Sequence, residues 1–150
     1  MRVVIQRVSR AEVVVDGAEI AAIGSGLLVL LGIEGADEAA DADWLCAKLS
    51  KLRIFSDEAG QMNLDIQTVV GEFLVVSQFT LHGSTKKGNR PAFIRAARPE
   101  KAIPLYTYFV QKLKELSGCP VKTGEFGANM QVSLNNDGPV TLVIDTANKE

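Results

Sequence analysis

Two short polar constellations and one run of cations are the places where this chain could do chemistry. Ser77-Gln78-Phe79-Thr80-Leu81 closes a strongly apolar segment. Polar groups at the end of a rigid strand can hydrogen-bond a substrate, or they can satisfy neighbouring backbone groups. Thr80 is a conceivable nucleophile, but a threonine hydroxyl needs activation. His82 lies near enough in sequence to supply it, yet no third orienting group is evident. Asn136-Asp137-Gly138-Pro139-Val140-Thr141 sits between two alternating apolar segments and reads first as a tight turn. A Gly-Pro pair, above all a cis one, can also present carbonyl groups rigidly. Such acceptors would hold an ammonium group and exclude a side chain. Residues 86–101 contain Lys86, Lys87, Arg90, Arg95, Arg98 and Lys101 against Glu100 alone. That run is either a solvated face or a phosphate-contact patch, with Phe93 packed beneath it or stacked on a base.

Other familiar devices are missing. The sequence has no GxxxxGK[ST] loop, GxGxxG fingerprint, HExxH pair or GxSxG elbow. With one histidine, a histidine-rich metal centre is excluded, and no cofactor or metal is expected. Cys46 lies in the apolar Trp44-to-Leu49 region and reads as inert packing, while Cys119 precedes Pro120 at a turn. The 150 residues suggest one domain, 1–150, without room for a two-domain dehydrogenase, a synthetase or a kinase. A formal net charge of -2 lacks the basicity of a general duplex binder, but a local patch still permits RNA. The cysteines form no CxxC pair, the start has no apolar signal core, and the longest apolar stretch, Gly26 to Ile33, is too short for a bilayer. A cytoplasmic protein with reduced thiols and no membrane association is expected.

The positioning elements follow from periodicity. Val3, Ile5 and the alternation from Ala11 to Val15 predict strands, Asp16-Gly17 a hairpin turn, and Ile20 to Ile23 the returning strand. LLVLLGI, apolar on both faces, suits a central strand, so that four or more strands come from about the first third. Asp37 to Leu52 switches to helical spacing through Leu45, Leu49 and Leu52. Phe55 to Gly60 reads as an exposed turn, GEFLVVSQFTL as one strand, and His82 to Pro91 as a charged loop. A second helix runs from about Pro99 or Ala102 to Ser117, with Leu116 on its apolar side and Gly118 as its stop. Pro104 fits only a first turn, favouring a later start. Val121-Lys122-Thr123, Met130 to Leu134 and Val140 to Ile144 supply the last strands. The fold class is α+β: a mainly antiparallel, strongly bent sheet or partial β-barrel with two principal helices.

MRVVIQRVSRAEVVVDG, SQFTL, KKGNRPAF and NDGPVT, in this order and spacing, resemble the D-aminoacyl-tRNA deacylase family over essentially the full chain. The resemblance implies a homodimer that hydrolyses the ester of D-aminoacyl-tRNA, a form of chiral proofreading in translation, and that also accepts glycyl-tRNA. It places Ser77, Gln78 and Thr80 at the reaction and Phe79 in the substrate pocket. Gly138-Pro139 becomes a cis pair inserted into the partner subunit's pocket to exclude L side chains, with Arg7 holding it. Lys86, Lys87 and Arg90 are the candidate tRNA contacts. NRPAF and SLNNDGPVT vary around the family pattern while keeping Gly88, Arg90, Pro91, Phe93, Asn136, Gly138, Pro139 and Thr141. Rival readings are a noncatalytic RNA-binding module using 86–101, a small-molecule hydrolase with a merely solvated basic face, and a structural dimerisation protein.

Overall fold

One long strand organises the molecule. In the computed structural model, which describes residues 1–149, β1 (Arg2–Val15) pairs antiparallel with three others. Its first half pairs with β3 (Gly26–Gly32) and its second half with β2 (Ala18–Ile23). Along its other edge runs β8 (Met130–Asp145). Asp16 and Gly17 have φ of 50° and 79°. Those values at both central positions are what a tight hairpin turn matching the strand twist requires.

The expected two strands within residues 3–15 are thus one, and three strands rather than four precede the first helix, α1 (Ala39–Lys51). Beyond it lie β4 (Phe55–Ser56), β5 (Met62–Leu64) and β6 (Glu72–Ser77). The segment expected as an exposed turn therefore begins in a small hairpin with Phe55 buried. β6 pairs parallel with β3, and β7 (Val121–Thr123) parallel with β6. Parallel neighbours need long crossovers; α1 lies in the first and α2 (Pro99–Ser117) in the second. The sheet is mixed, with its antiparallel pairings all centred on β1.

The doubly apolar strands separate two cores. Leu27, Val29 and Leu31 of β3 and Phe73 and Val75 of β6 face Leu45, Cys46 and Leu49 of α1 and Phe109 and Leu113 of α2. Leu28, Leu74 and Val76 face the other way, joining Val8, Ala11, Val13 and Ile23 inside the bent sheet. Because β3 and β6 are buried on both faces, neither can shift register by one residue without exchanging these two apolar sets.

α2 starts at Pro99, earlier than Pro104 suggests. Pro104 lies inside the helix on its exposed side, where water can satisfy the carbonyl its missing N–H leaves free. Leu116 is also 40% exposed, off the buried stripe. Gly118 ends the helix in the left-handed region as expected. No helix among the described residues is long and apolar enough to cross a membrane.

The larger departure concerns residues 136–139. They do not reverse the chain between two hairpin strands. Both flanks belong to β8 and pair with β1, and 137–140 bulge out where the register shifts. Alternation on either side of Asn-Asp-Gly-Pro reads as a hairpin in sequence. One long partner strand makes a bulge the observed outcome, with extra residues on one side only.

Candidate active site

β6 delivers Ser77 to the end of the sheet, and the chain then leaves extended geometry. Gln78 has φ -143° and ψ 78°, and Phe79–His82 form a 3₁₀ turn. The single strand expected through Leu81 therefore stops at Ser77, and the face pattern predicted for Phe79 and Thr80 does not apply. The Gln78 N–H donates to the Leu31 carbonyl at 2.8 Å, fixing the turn to β3. Its side-chain Nε2 donates to Thr80 Oγ1 at 2.5 Å. The Phe79 and Thr80 N–H groups open the turn, before any intrahelical acceptor is in range.

Ser77, Gln78 and Phe79 line a cleft of about 240 Å³. Its other walls are mainly apolar, including Ala97, Phe126, Met130 and Val132. Drug-sized ligand pockets run from ~300 to 1,000 Å³, so this cleft suits a small amphipathic group. Thr80 is exposed beside the cleft, joined to it through Gln78. The 126–132 wall escaped the sequence reading; the two glycines flanking Phe126 in Gly124-Glu125-Phe126-Gly127 are its one local signal.

Arg7, Gly138 and Pro139 form a separate cluster, outside this cleft's lining. The Gly138-Pro139 bond is cis, and Asp137, Gly138 and Pro139 are exposed. Arg7 is 8% exposed; its Nε donates to the Asp137 carbonyl at 3.0 Å and Nη1 to the Ile54 carbonyl at 2.7 Å. The Asp137 carboxylate lies 3.5 Å from Nε. Asn136 braces the other flank, its Oδ1 accepting the Val140 N–H at 3.0 Å. The bulge is thus held at its base and bare at its tip.

The basic segment is a hairpin-like loop, closed where Ser84 and Ala92 exchange backbone hydrogen bonds of 2.8 and 2.9 Å. Lys86, Lys87 and Arg90 are exposed at its outer end. Phe93 packs edge-to-face on Phe79 with ring centroids 5.1 Å apart, so the loop base touches the cleft wall. His82, expected at the start of the charged loop, is 4% exposed. It does not line the cleft, and Thr80 lacks the arrangement of a nucleophile–base–orienter triad.

Neither thiol is a nucleophile. Burial, aided by Asp43, pushes the Cys46 thiol up to about 12. Burial also raises the Cys119 thiol. At pH 8 only about 1 in 10,000 Cys46 thiols is thus a thiolate. A disulfide reagent at pH 8 should leave both unmodified in the native protein and release two equivalents after denaturation. Among the described residues no group of three or more His, Cys, Asp or Glu side chains is placed to hold a metal ion.

The architecture is thus an α+β protein with a bent sheet backed by two helices and a small, mainly apolar cleft that has an amide–hydroxyl edge beside a basic loop. The family described as D-Tyr-tRNA(Tyr) deacylase matches residues 4–145. A D-aminoacyl-tRNA deacylase of Flavobacterium johnsoniae is 57% identical over 150 residues, all of both chains. One of Bacteroides fragilis is 59% identical over the same full span. A solved structure titled c-Myc DNA Unwinding Element Binding Protein superposes with a TM-score of 0.91 at 41% identity, covering 97% of this chain and 99% of that one. The structure of a probable eukaryotic D-amino acid tRNA deacylase, 17% identical over 95% of this chain and 97% of that one, shares the fold with a TM-score of 0.83. The chain belongs to the D-Tyr-tRNA(Tyr) deacylase family.

Proposed function

We propose that this protein hydrolyses the ester of D-aminoacyl-tRNA and of glycyl-tRNA, releasing amino acid and tRNA, and rejects L-aminoacyl-tRNA. Family membership and the small cleft edged by Ser77, Gln78 and Phe79 support this. The single observation that carries the chiral filter is the position of Gly138-Pro139. A rigid, exposed, internally braced pair lies away from its own chain's cleft. It makes sense as a plug for a second copy's cleft, so the working form is a homodimer whose subunits complete each other's pockets. Glycine passes because it has no side chain for the plug to meet. A cytoplasmic location fits a tRNA substrate.

The protein's chemical contribution is positioning. Gln78 holds the Thr80 hydroxyl at 2.5 Å, and the Phe79 and Thr80 N–H groups supply donors for a developing oxyanion. Among the described residues no base hydrogen-bonds the Thr80 hydroxyl, whose partner is the Gln78 amide, and the terminal ribose hydroxyl next to the ester helps activate water. Lys86, Lys87 and Arg90 contact tRNA phosphates.

Matched D- and L-tyrosyl-tRNA and glycyl-tRNA, followed for ester loss against enzyme concentration, test this. The D and glycyl forms should be cleaved, with the L form at least about 100-fold slower, the scale that excluding one group can reach. Equal cleavage of D and L would remove the filter. T80A keeps the backbone N–H but removes the positioned hydroxyl and should lose about 10²-fold in kcat, the scale of one lost hydrogen-bonding group at the reaction, whereas losing a nucleophile costs ~10⁶. Undiminished turnover of a substrate lacking the ribose hydroxyl would sink the RNA-assisted step.

The exposed basic loop, and a 41%-identical structure titled as a DNA-element binding protein, favour one alternative: a noncatalytic RNA-binding module. It predicts salt-sensitive tRNA binding with no ester cleavage at stoichiometric protein.

A further inference from the structure

A second groove is lined by residues distinct from those of the cleft. His82 lies among its lining residues with Ser84, Lys86, Lys87, Ile94 and Arg95. Behind it is Glu34, 13% exposed at its side chain, from the segment following β3. His82 Nδ1 lies 2.8 Å from Glu34 Oε1, and Arg95 Nη2 lies 2.5 Å from the same oxygen. Neither contact is aligned as a hydrogen bond: Glu34 Oε1 and both His82 ring nitrogens are buried without a hydrogen-bond partner among the described residues. A buried ring nitrogen without a partner, as His82 Nε2 is among the described residues, costs about 1–3 kcal/mol, while Glu34 Oε1 is held by charge, in contact with both Arg95 and His82.

The cluster is tied to both the turn and the basic loop. His82 ends the turn that carries Phe79 and Thr80. Its imidazole stacks so closely over Gly32 that a Cβ there would meet Nε2 at 2.9 Å. Arg95 belongs to the return limb of the basic loop, whose backbone is itself tied to the Glu34 segment. The Gly35 N–H donates to the Arg95 carbonyl at 3.1 Å, and the Ala97 N–H to the Ile33 carbonyl at 2.9 Å. One carboxylate therefore faces both the loop that would meet RNA and the turn that presents Gln78 and Thr80. Arg95 is 63% exposed at its side chain, so an incoming phosphate can reach it.

We infer that Glu34 and His82 are positioning residues that couple occupancy of the basic groove by an RNA phosphate, through Arg95, to the placement of the Gln78–Thr80 turn. This rests on the tRNA-hydrolysing function proposed above. Drawing Arg95 toward a phosphate frees Glu34 Oε1 to align with His82 Nδ1, fixing the turn when tRNA is bound. The effect belongs in kcat, because the groups that touch the reacting ester are Gln78 and Thr80.

The test compares His82→Leu, His82→Asn and Glu34→Gln on D-tyrosyl-tRNA. Asparagine keeps an N–H donor near the Nδ1 position, and leucine does not. His82→Leu and Glu34→Gln should lower kcat about 10-fold with KM within about 2-fold of the parent, and His82→Asn should restore kcat to within about 3-fold. Parent-like kcat in both damaging variants, or a KM change at constant kcat, would overturn the coupling. Hydrogen exchange at the Leu81 and Gly83 amides, which close the turn at 3.3 and 3.0 Å, gives a readout without substrate. Addition of uncharged tRNA should slow exchange in the parent and in His82→Asn but not in His82→Leu or Glu34→Gln. An identical response in all four would overturn the proposal. A parent protein that shows this exchange response without cleaving any ester would instead remove the proposed activity. Glu34→Gln preserves size, so the comparison survives if the leucine variant does not fold.

Discussion

Gly138→Ala should erase the preference for D over L substrates while leaving a folded protein. At φ 132° an L side chain is strained, and a Cβ would meet Val140 Cγ2 at 2.8 Å and Arg7 Nη2 at 3.1 Å. Strain of this kind costs about 1–3 kcal/mol locally, small beside global stability but enough to move an exposed bulge. Arg7 cannot retreat freely, since it is buried and committed to the Asp137 and Ile54 carbonyls. The bulge tip therefore moves, and a filter that works by exclusion loses its fit. Ratios of kcat/KM for D- and L-tyrosyl-tRNA check this, with a thermal melt alongside. We expect the ratio to fall by about 100-fold and the melting temperature by about 2–12 °C. Equal slowing of both esters, with the ratio preserved, would assign Gly138 to general catalysis and not to selection.

Gly26→Ala acts on the scaffold and should be the most destabilising of the Gly→Ala substitutions. Gly26 pairs with Glu72 across the parallel β3–β6 junction. A Cβ there would lie 1.9 Å from the Glu72 carbonyl oxygen and 2.7 Å from its nitrogen. The obstacle is backbone, so no rotamer change relieves it, and β3 must part from β6. A loss above about 4 kcal/mol is expected, lowering the melting temperature by about 8–16 °C or preventing soluble expression. Gly35→Ala is the control, because a Cβ there meets nothing within 4 Å. Similar melting temperatures for the two variants would refute this reading of the junction.

Local pattern in the sequence carried much of the architecture. Apolar residues on both faces of Leu27 to Leu31 identified a central strand, the Leu45–Leu49 spacing identified α1, and Gly118 marked the end of α2. What escaped was non-local. A bulge and a hairpin turn share the same residues, and only the pairing of β1 with β8 on both sides of the bulge tells them apart. The end of β6 is similar: Gln78 to Leu81 continue an apolar-polar alternation, but β3 ends its pairing at Ser77, and the chain curls. Of the candidate site, Ser77, Gln78 and Phe79 meet at one cleft as their proximity in sequence implies. Arg7 and Gly138, separated by most of the chain, meet because β1 and β8 are partners. The inward burial of His82 depends on Gly32 at the end of β3 and Glu34 just beyond it, which no local pattern announces.

β1 carries both anchors of this arrangement. Arg2 donates to the Leu81 carbonyl at 2.7 Å and so steadies the turn beside the cleft, while Arg7 steadies the Gly138-Pro139 bulge. Five residues of extended chain separate the two by about 17 Å, along a strand paired on both edges and unable to fold back on itself. The strand works as a ruler that holds the Leu81 turn and the Gly138-Pro139 bulge of one molecule apart. On the dimeric reading, stereochemical checking is then no property of the polypeptide alone but of its encounter with a copy. On that reading accuracy is a function of concentration, because an isolated subunit carries the cleft and the bulge without bringing them together.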